Sequence, residues 1–167
     1  MLRRRQLLAI AAFGAGAKSG NTAEDRRAFL VVRGNISKFT DEKAKIYRFS
    51  EEEFMSLPQA SITTSTTWTT RSKFEGPLLS DVLKHVGARG SHLDVLALDD
   101  YSVSIPMSDL ATFEPILARS RDGKRMIARD FGPLFVMYPR DKYPSKLNTL
   151  PAQAKFIWQV RHITVVE

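Results

Sequence analysis

Apolar positions along the chain recur in short, changing rhythms rather than in one sustained period. "AFLVVRG" (28–34) is a β-rich run closed by Gly34 and predicts the first strand. In "SEEEFMSLP" (50–58), Ser50 and Glu53 stand in capping-box register and Pro58 is a stop, which predicts one or two helical turns. "SITTSTTWTT" (61–70) carries eight hydroxyl side chains and one Trp in ten residues. The branched Cβ of Thr suits a pleated strand. A core strand would supply Val or Ile, so this strand reads as a polar wall.

"GPLLSDVLKHVGARG" (76–90) predicts the clearest helix. Leu78, Leu79, Val82, Leu83 and Val86 share one face, Pro77 suits the first helical position, and Gly87 suits the position after the last turn. "LDVLALDDYSVSIP" (93–106) splits into two β runs around Asp99 and Asp100, with Val103 and Ile105 alternating against Ser102 and Ser104, the pattern of a hairpin. "SDLATF" predicts a short helix capped by Ser108, and "PILARSRDGKRMIARD" (115–130) a second hairpin about Asp122 and Gly123. "GPLFVMYP" (132–139) reads as a buried strand, and "FIWQVRHITVV" (156–166) as a long terminal one.

Short strands with one strong helix and several helical turns predict an α+β fold, a single compact mixed domain over 28–167. The chain lacks the regular strand-helix alternation of a doubly wound sheet. At 167 residues, with 43% hydrophobic and 26% charged, it is long enough for one real core and lies outside the disordered class.

The N-terminus changes the reading of charge and location. Arg3, Arg4 and Arg5 precede the apolar run Leu7 to Phe13, and Ala15 and Ala17 form a small-residue cleavage pattern before Lys18. These are the parts of an export signal over 1–17, cleaved near Ala17, followed by a polar linker over 18–27. The expected location is periplasmic. The apolar run is far short of the roughly 20 residues that span a bilayer, so no stable membrane anchor is expected. A basic N-terminus of a cytoplasmic protein is the alternative. The formal charge of +7 loses those three arginines on cleavage, and the remaining basic residues are scattered without a nucleic-acid module.

With no cysteine, disulfides, thiolate metal sites and thiol nucleophiles are excluded. His85, His92 and His162 lack any zinc-site spacing, and no dinucleotide, P-loop or nucleophile-elbow motif occurs. No catalytic and no metal-ligating residue is expected.

The series "TTSTTWTTRSKFEGPLLSDVL", "ALDDYSVSIPMSDL" and "ILARSRDGKRMIARDFGPLFVMYPRD" resembles the oxidoreductase molybdopterin-binding domain, the fold of the sulfite oxidase family, over roughly 28–166. It is most similar to the small, free-standing, exported pterin-binding members. The hallmarks are Trp68 through Phe74–Leu79, Asp100-Tyr101 with Ile105-Pro106, and Asp122-Gly123 leading to Arg129-Asp130 and Gly132-Pro133-Leu134. In the molybdenum enzymes of that family, a cysteine near the position of Thr64 to Thr66 supplies a thiolate to the metal. Hydroxyls stand there in this chain and are poor substitutes for a soft ligand. The resemblance therefore implies a metal-free pterin, reduced in related proteins. It also implies a signalling role in which the loaded protein acts on the periplasmic part of a membrane-bound cyclic-di-GMP enzyme.

A pterin is a flat fused heteroaromatic with a donor edge and an acceptor edge. Its pocket needs an aromatic face, a carboxylate that takes two parallel hydrogen bonds, and donors for the carbonyl. Trp68, Phe74, Tyr101 and Tyr138 are candidates for the face, Asp99, Asp100 and Asp130 for the carboxylate, Arg71 and Arg129 for the donor, with backbone N–H groups near Gly132. Each has a plainer alternative: Trp68 as a core anchor, Arg129 and Asp130 as a surface ion pair, Gly132 and Pro133 as a chain turn, Asp99 as a hairpin residue. Stacking at about 1–3 kcal/mol and charged hydrogen bonds at about 1.5–3 kcal/mol, less the cost of immobilisation, reach the roughly −8 kcal/mol of a micromolar complex. Two alternatives stand beside this reading: a molybdopterin-dependent oxidoreductase lacking the cysteine ligand, and a degenerate fold serving only protein interaction.

Overall fold

The computed structural model describes residues 23–167, so the export signal and the first part of the linker lie outside the described residues. Within the stretch read as a linker, Ala23–Arg27 is ordered as a short helix, α1, and its Asp25 is buried and ion-paired to Arg48 at 2.8 Å. Among the described residues, no helix is long and apolar enough to cross a membrane.

A five-stranded sheet carries the centre of the molecule, in the order β2 (Ile46–Phe49), β1 (Leu30–Gly34), β11 (Val160–Val166), β5 (His92–Ala97), β6 (Ser102–Pro106). β1 and β11 run parallel with Val31 beside His162, while every other pair in this sheet is antiparallel. Leu30, Val32, Phe49, Leu93, Val95, Ile105 and Ile163 from these strands enter the core fully or almost fully buried. The 93–106 hairpin forms as expected, with Asp100 in the left-handed conformation at φ 66°. β2 escaped the sequence reading because its burial runs in, half, half, in, without the period of two that marks a half-buried strand.

A second sheet is ordered β3 (Gln59–Thr64), β4 (Ser72–Pro77), β8 (Ser120–Arg121), β9 (Lys124–Arg125), and a third pairs β10 (Phe135–Met137) with β7 (Ile116–Ala118). The β8–β9 hairpin turns on Asp122 and Gly123, both at positive φ, as the sequence implies. The hydroxyl stretch is only half strand. β3 ends at Thr64, and 65–70 is a loop that returns the chain into β4. β4 ends at Pro77, so Gly76 and Pro77 close a strand instead of opening the helix. Gly76 fits there because a Cβ would stand 2.2 Å from the Leu117 carbonyl oxygen, leaving no room for a side chain between β4 and β7.

Helix α2 (Glu51–Ser56) is capped as expected, Ser50 Oγ accepting from the Glu53 N–H at 3.1 Å. Glu53 does not close the capping box. Its carboxylate takes the Tyr47 hydroxyl and His85 instead. Helix α3 (Leu79–His85) buries Leu79, Val82 and Leu83, and Gly87 follows at φ 64° as the sequence predicts for its end. Helix α4 (Ser108–Phe113) starts on Ser108, which therefore does not cap it; Met107 holds that position without a side-chain bond. Two single-turn helices, α5 (Pro144–Leu147) and α6 (Leu150–Gln153), precede β11.

Candidate functional site

The loop after β3 is built by one hydroxyl. Thr66 Oγ1 accepts from the backbone N–H groups of Trp68 at 3.1 Å and Thr69 at 2.9 Å, and lies 2.9 Å from Thr69 Oγ1. Thr66 and Thr69 are buried while Trp68 between them is 45% exposed, so the turn holds the indole out of the core. The indole meets a second one: Trp68 and Trp158 pack edge to face with ring centroids 4.8 Å apart. Trp158 is in turn wedged against Phe131 and Phe135.

Trp68 and Trp158 form one wall of a cleft of about 400 Å³, also lined by Ala97, Asp99, Tyr101, Phe156, Ile157 and by Leu150, Gln153 and Ala154 of the α6 segment. The volume lies within the ~300–1,000 Å³ of small-molecule sites. Tyr101 donates its hydroxyl to the Ala154 carbonyl at 3.2 Å, tying the β5–β6 turn to α6 across the cleft. Asp99 Oδ1 accepts the Tyr101 N–H at 3.2 Å, leaving the other carboxylate oxygen at the rim. Trp68, Tyr101 and Leu150, all on this cleft, are three of the six exposed large apolar side chains among the described residues. Such concentration in one concavity marks a binding surface better than scattered exposure does.

Of the residues expected from the sequence, Trp68, Asp99 and Tyr101 come together here. Phe74 and Tyr138 do not. Both are fully buried, Phe74 against Phe135 and Tyr138 between Phe113 and Phe156, so neither offers a ring face to a ligand. The Tyr138 hydroxyl donates to Asp109 at 3.0 Å, and burial together with that carboxylate pushes the phenol far up. Asp100 shapes the turn at positive φ and is not among the cleft residues. Arg71 pairs with Asp141 at 3.2 Å and is not among the residues that line the cleft. Burial raises the Asp141 carboxyl, but the Ser65 hydroxyl and N–H, Thr64 and Arg71 outweigh it and hold it below the usual carboxylate range.

Arg129 and Asp130 are exposed turn residues that do not line the cleft, and no ion pair joins them. Gly132 is buried with its N–H donated to the Ile127 carbonyl at 2.8 Å, and a Cβ would stand 2.3 Å from the Met126 carbonyl. Its N–H is therefore spent inside the fold. The sequence reading missed Trp158, Gln153 and Leu150. Trp158 read as part of a strand, but Gln159 adopts φ 54° and β11 begins only at Val160, which turns the indole out toward the cleft.

A wider groove of about 770 Å³ lies beside α1, lined by Arg26, Arg27, Arg48, Glu24 and Glu51 among others. Arg48 there is held by Asp25, Asp41 and Glu24, and Glu51 by Arg119 and Arg125. None of the sequence-derived candidates lines it.

The donor set at the hydroxyl loop does not suit a molybdenum centre. The chain has no thiolate to offer, Thr64 Oγ1 accepts the Asp141 N–H at 3.1 Å, and Thr66 Oγ1 is fully engaged in its turn. Hard, neutral, already-bonded hydroxyls are weak ligands for a metal that favours sulfur. Among the described residues no group of three His, Asp or Glu is placed to hold a metal ion.

Comparison with protein-family models and with curated proteins returns no match. Among solved structures, the chain is similar to the sulfane dehydrogenase SoxCD from Paracoccus pantotrophus, with a TM-score of 0.60 and 15% sequence identity. The likeness covers 85% of this chain and 39% of that one. At that identity it shows the fold alone: a mixed α+β domain like the matching part of that sulfane dehydrogenase.

Proposed function

We propose that this protein is a non-enzymatic receptor for a metal-free pterin, held in the cleft between Trp68, Tyr101 and Trp158. The observation that carries the reading is the grouping of four aromatic side chains, a carboxylate and an amide around one concavity of bicyclic size. Trp68 supplies the exposed stacking face, worth about 1–3 kcal/mol by analogy with bases on aromatic rings. Asp99 supplies the acceptor for the ring N–H and exocyclic amine, a charged hydrogen bond of about 1.5–3 kcal/mol. Gln153 on the opposite lip can donate to the pterin carbonyl and accept from the ring at once. The fold supports a pterin class of ligand, and the missing thiolate supports a metal-free one.

As an exported adaptor, the protein would present its occupied or empty state to the periplasmic part of a membrane-bound cyclic-di-GMP enzyme. A second reading, a molybdopterin-dependent oxidoreductase that lacks the cysteine ligand, draws on the likeness to the sulfane dehydrogenase. One experiment separates them. The full chain is purified, its small-molecule extract is examined for pterin fluorescence and its molybdenum content measured. It is then titrated with a panel of oxidised and reduced pterins by thermal shift, since a ligand bound only by the folded state raises stability by mass action. The receptor reading expects a pterin-dependent rise that falls about 10-fold or more in apparent affinity with Trp68→Ala. Molybdenum near one equivalent, or no shift with any pterin, overturns it.

A further inference from the structure

An open sheet edge is a liability that folded proteins blunt with brevity, charge, proline or bulges. Most edges here follow that rule. β9 is two residues long and wholly basic, Lys124–Arg125. β2 carries Arg48, tied to the carboxylates of Asp25, Asp41 and Glu24 that flank it. β6 ends in Pro106. β7 and β10 are three residues each and fully buried.

β3 breaks the rule. Gln59–Thr64 is six residues long, contains no charge and no proline, and pairs with β4 one to one without a bulge. No described residue makes a backbone hydrogen bond to its other side. Its side chains alternate: Gln59, Ser61 and Thr63 are exposed, while Ala60 and Ile62 are half-buried and pack against the core. A strand added at this edge matches it by setting polar side chains beside Gln59, Ser61 and Thr63 and apolar ones beside Ala60 and Ile62.

β3 itself meets that description. Directly opposed residues in an antiparallel pair share a face, so self-pairing about a two-fold axis needs partners of equal parity. Centred on Ser61, the register sets Ala60 opposite the partner's Ile62 and Gln59 opposite the partner's Thr63, apolar with apolar and polar with polar. No like charges meet, which is the usual bar to self-association of a strand. A register centred on Ile62 would extend to Thr64, whose side chain is buried and already bonded to the Asp141 N–H. We propose that β3 pairs with β3 of a second copy of this chain about Ser61, joining the two four-stranded sheets into one across an isologous dimer.

Sedimentation velocity of the full chain over about 1 µM to about 1 mM tests this, because the expected result is a monomer-dimer transition. Ser61→Lys and Ser61→Asp place like charges at the axis of an exposed site and should each weaken the dimer at least about tenfold. Their thermal melts verify that each is folded. An equal mixture of the two variants should regain the dimer as a heterodimer, which no loss of folding could mimic. A monomer throughout the series overturns the proposal, as does a dimer indifferent to both charges, a mixture that stays monomeric, or a monomer that takes up an extended peptide at β3 instead.

Discussion

Thr66→Val keeps the branched shape of the side chain and deletes the one hydroxyl on which the Trp68 loop is folded. That hydroxyl accepts two backbone N–H groups and contacts the Thr69 hydroxyl, all within 3.1 Å. The costs are unequal. Trp68 is exposed, so its N–H finds water, whereas Thr69 is 7% exposed and its N–H and hydroxyl lose a partner inside the protein. A buried polar group left unpaired costs about 1–3 kcal/mol. Taking about 2 kcal/mol in all, a domain of this size should melt roughly 4–8 °C lower.

The consequence for the cleft is separate from the consequence for stability. The chain has two tryptophans and their rings are 4.8 Å apart in this site, so selectively excited tryptophan emission reports on the cleft. Thr66→Val should shift the emission toward that of a more exposed indole and weaken pterin binding about tenfold, as the stacking face loses its fixed position. Thr66→Ser keeps the acceptor and should restore both. If Thr66→Val melts within about 1 °C of the parent with an unchanged emission spectrum, the hydroxyl is not what folds the loop, and the reasoning fails.

Two further outcomes follow from buried polar groups. Burial, reinforced by the charges of Arg33 and Arg161 and opposed by Asp25, pushes the His162 imidazole down from 6.5 to about 4. A depressed histidine contributes its stability above the unfolded value and loses it as pH falls, so native stability should decline between about pH 6.5 and pH 4 by up to about 3 kcal/mol. In denaturant titrations His162→Leu should lack that part of the slope, and an identical pH profile in the variant would count against it. Tyr138→Phe removes the hydroxyl that, with Lys155 at 2.7 Å, satisfies buried Asp109. It should cost about 1.5–3 kcal/mol by chemical unfolding while leaving pterin affinity unchanged, and a selective loss of affinity would return Tyr138 to the site.

What the sequence made legible follows the strength of local signals. The β5–β6 and β8–β9 hairpins were visible because Asp99-Asp100 and Asp122-Gly123 are turn chemistry between β runs, and both turns use positive φ. The Ser50 cap and the Gly87 terminus were visible for the same reason. β4 was hidden because its inward positions are Ser72, Phe74 and Gly76, a strand with one large apolar side chain whose fit depends on Leu117 more than forty residues away. Pro77 then looked like a helix start, since proline suits either side of that boundary.

The site was harder to read than the fold because its residues are drawn from three separated segments, and one of the three gave no functional signal. Trp68 stood out among hydroxyls, and Asp99 and Tyr101 stood in a recognisable turn. The opposite lip, from Leu150 to Trp158, carried no motif. It is held there by the Thr149 cap on α6, by the Tyr101 bond to Ala154 and by the positive φ at Gln159; the Thr149 cap with Pro151 in the first turn is a local start signal, but the other two have no sequence signature. The hydroxyl run also divides by function. Ser61 and Thr63 are exposed on an open edge, while Thr64, Thr66 and Thr69 are buried and turn inward to fold the loop. One composition thus serves two demands: exposed polar side chains along an edge strand, and backbone capture where an indole must be held at the surface. Thr66 and Thr69 in this stretch thereby hold the loop that presents Trp68.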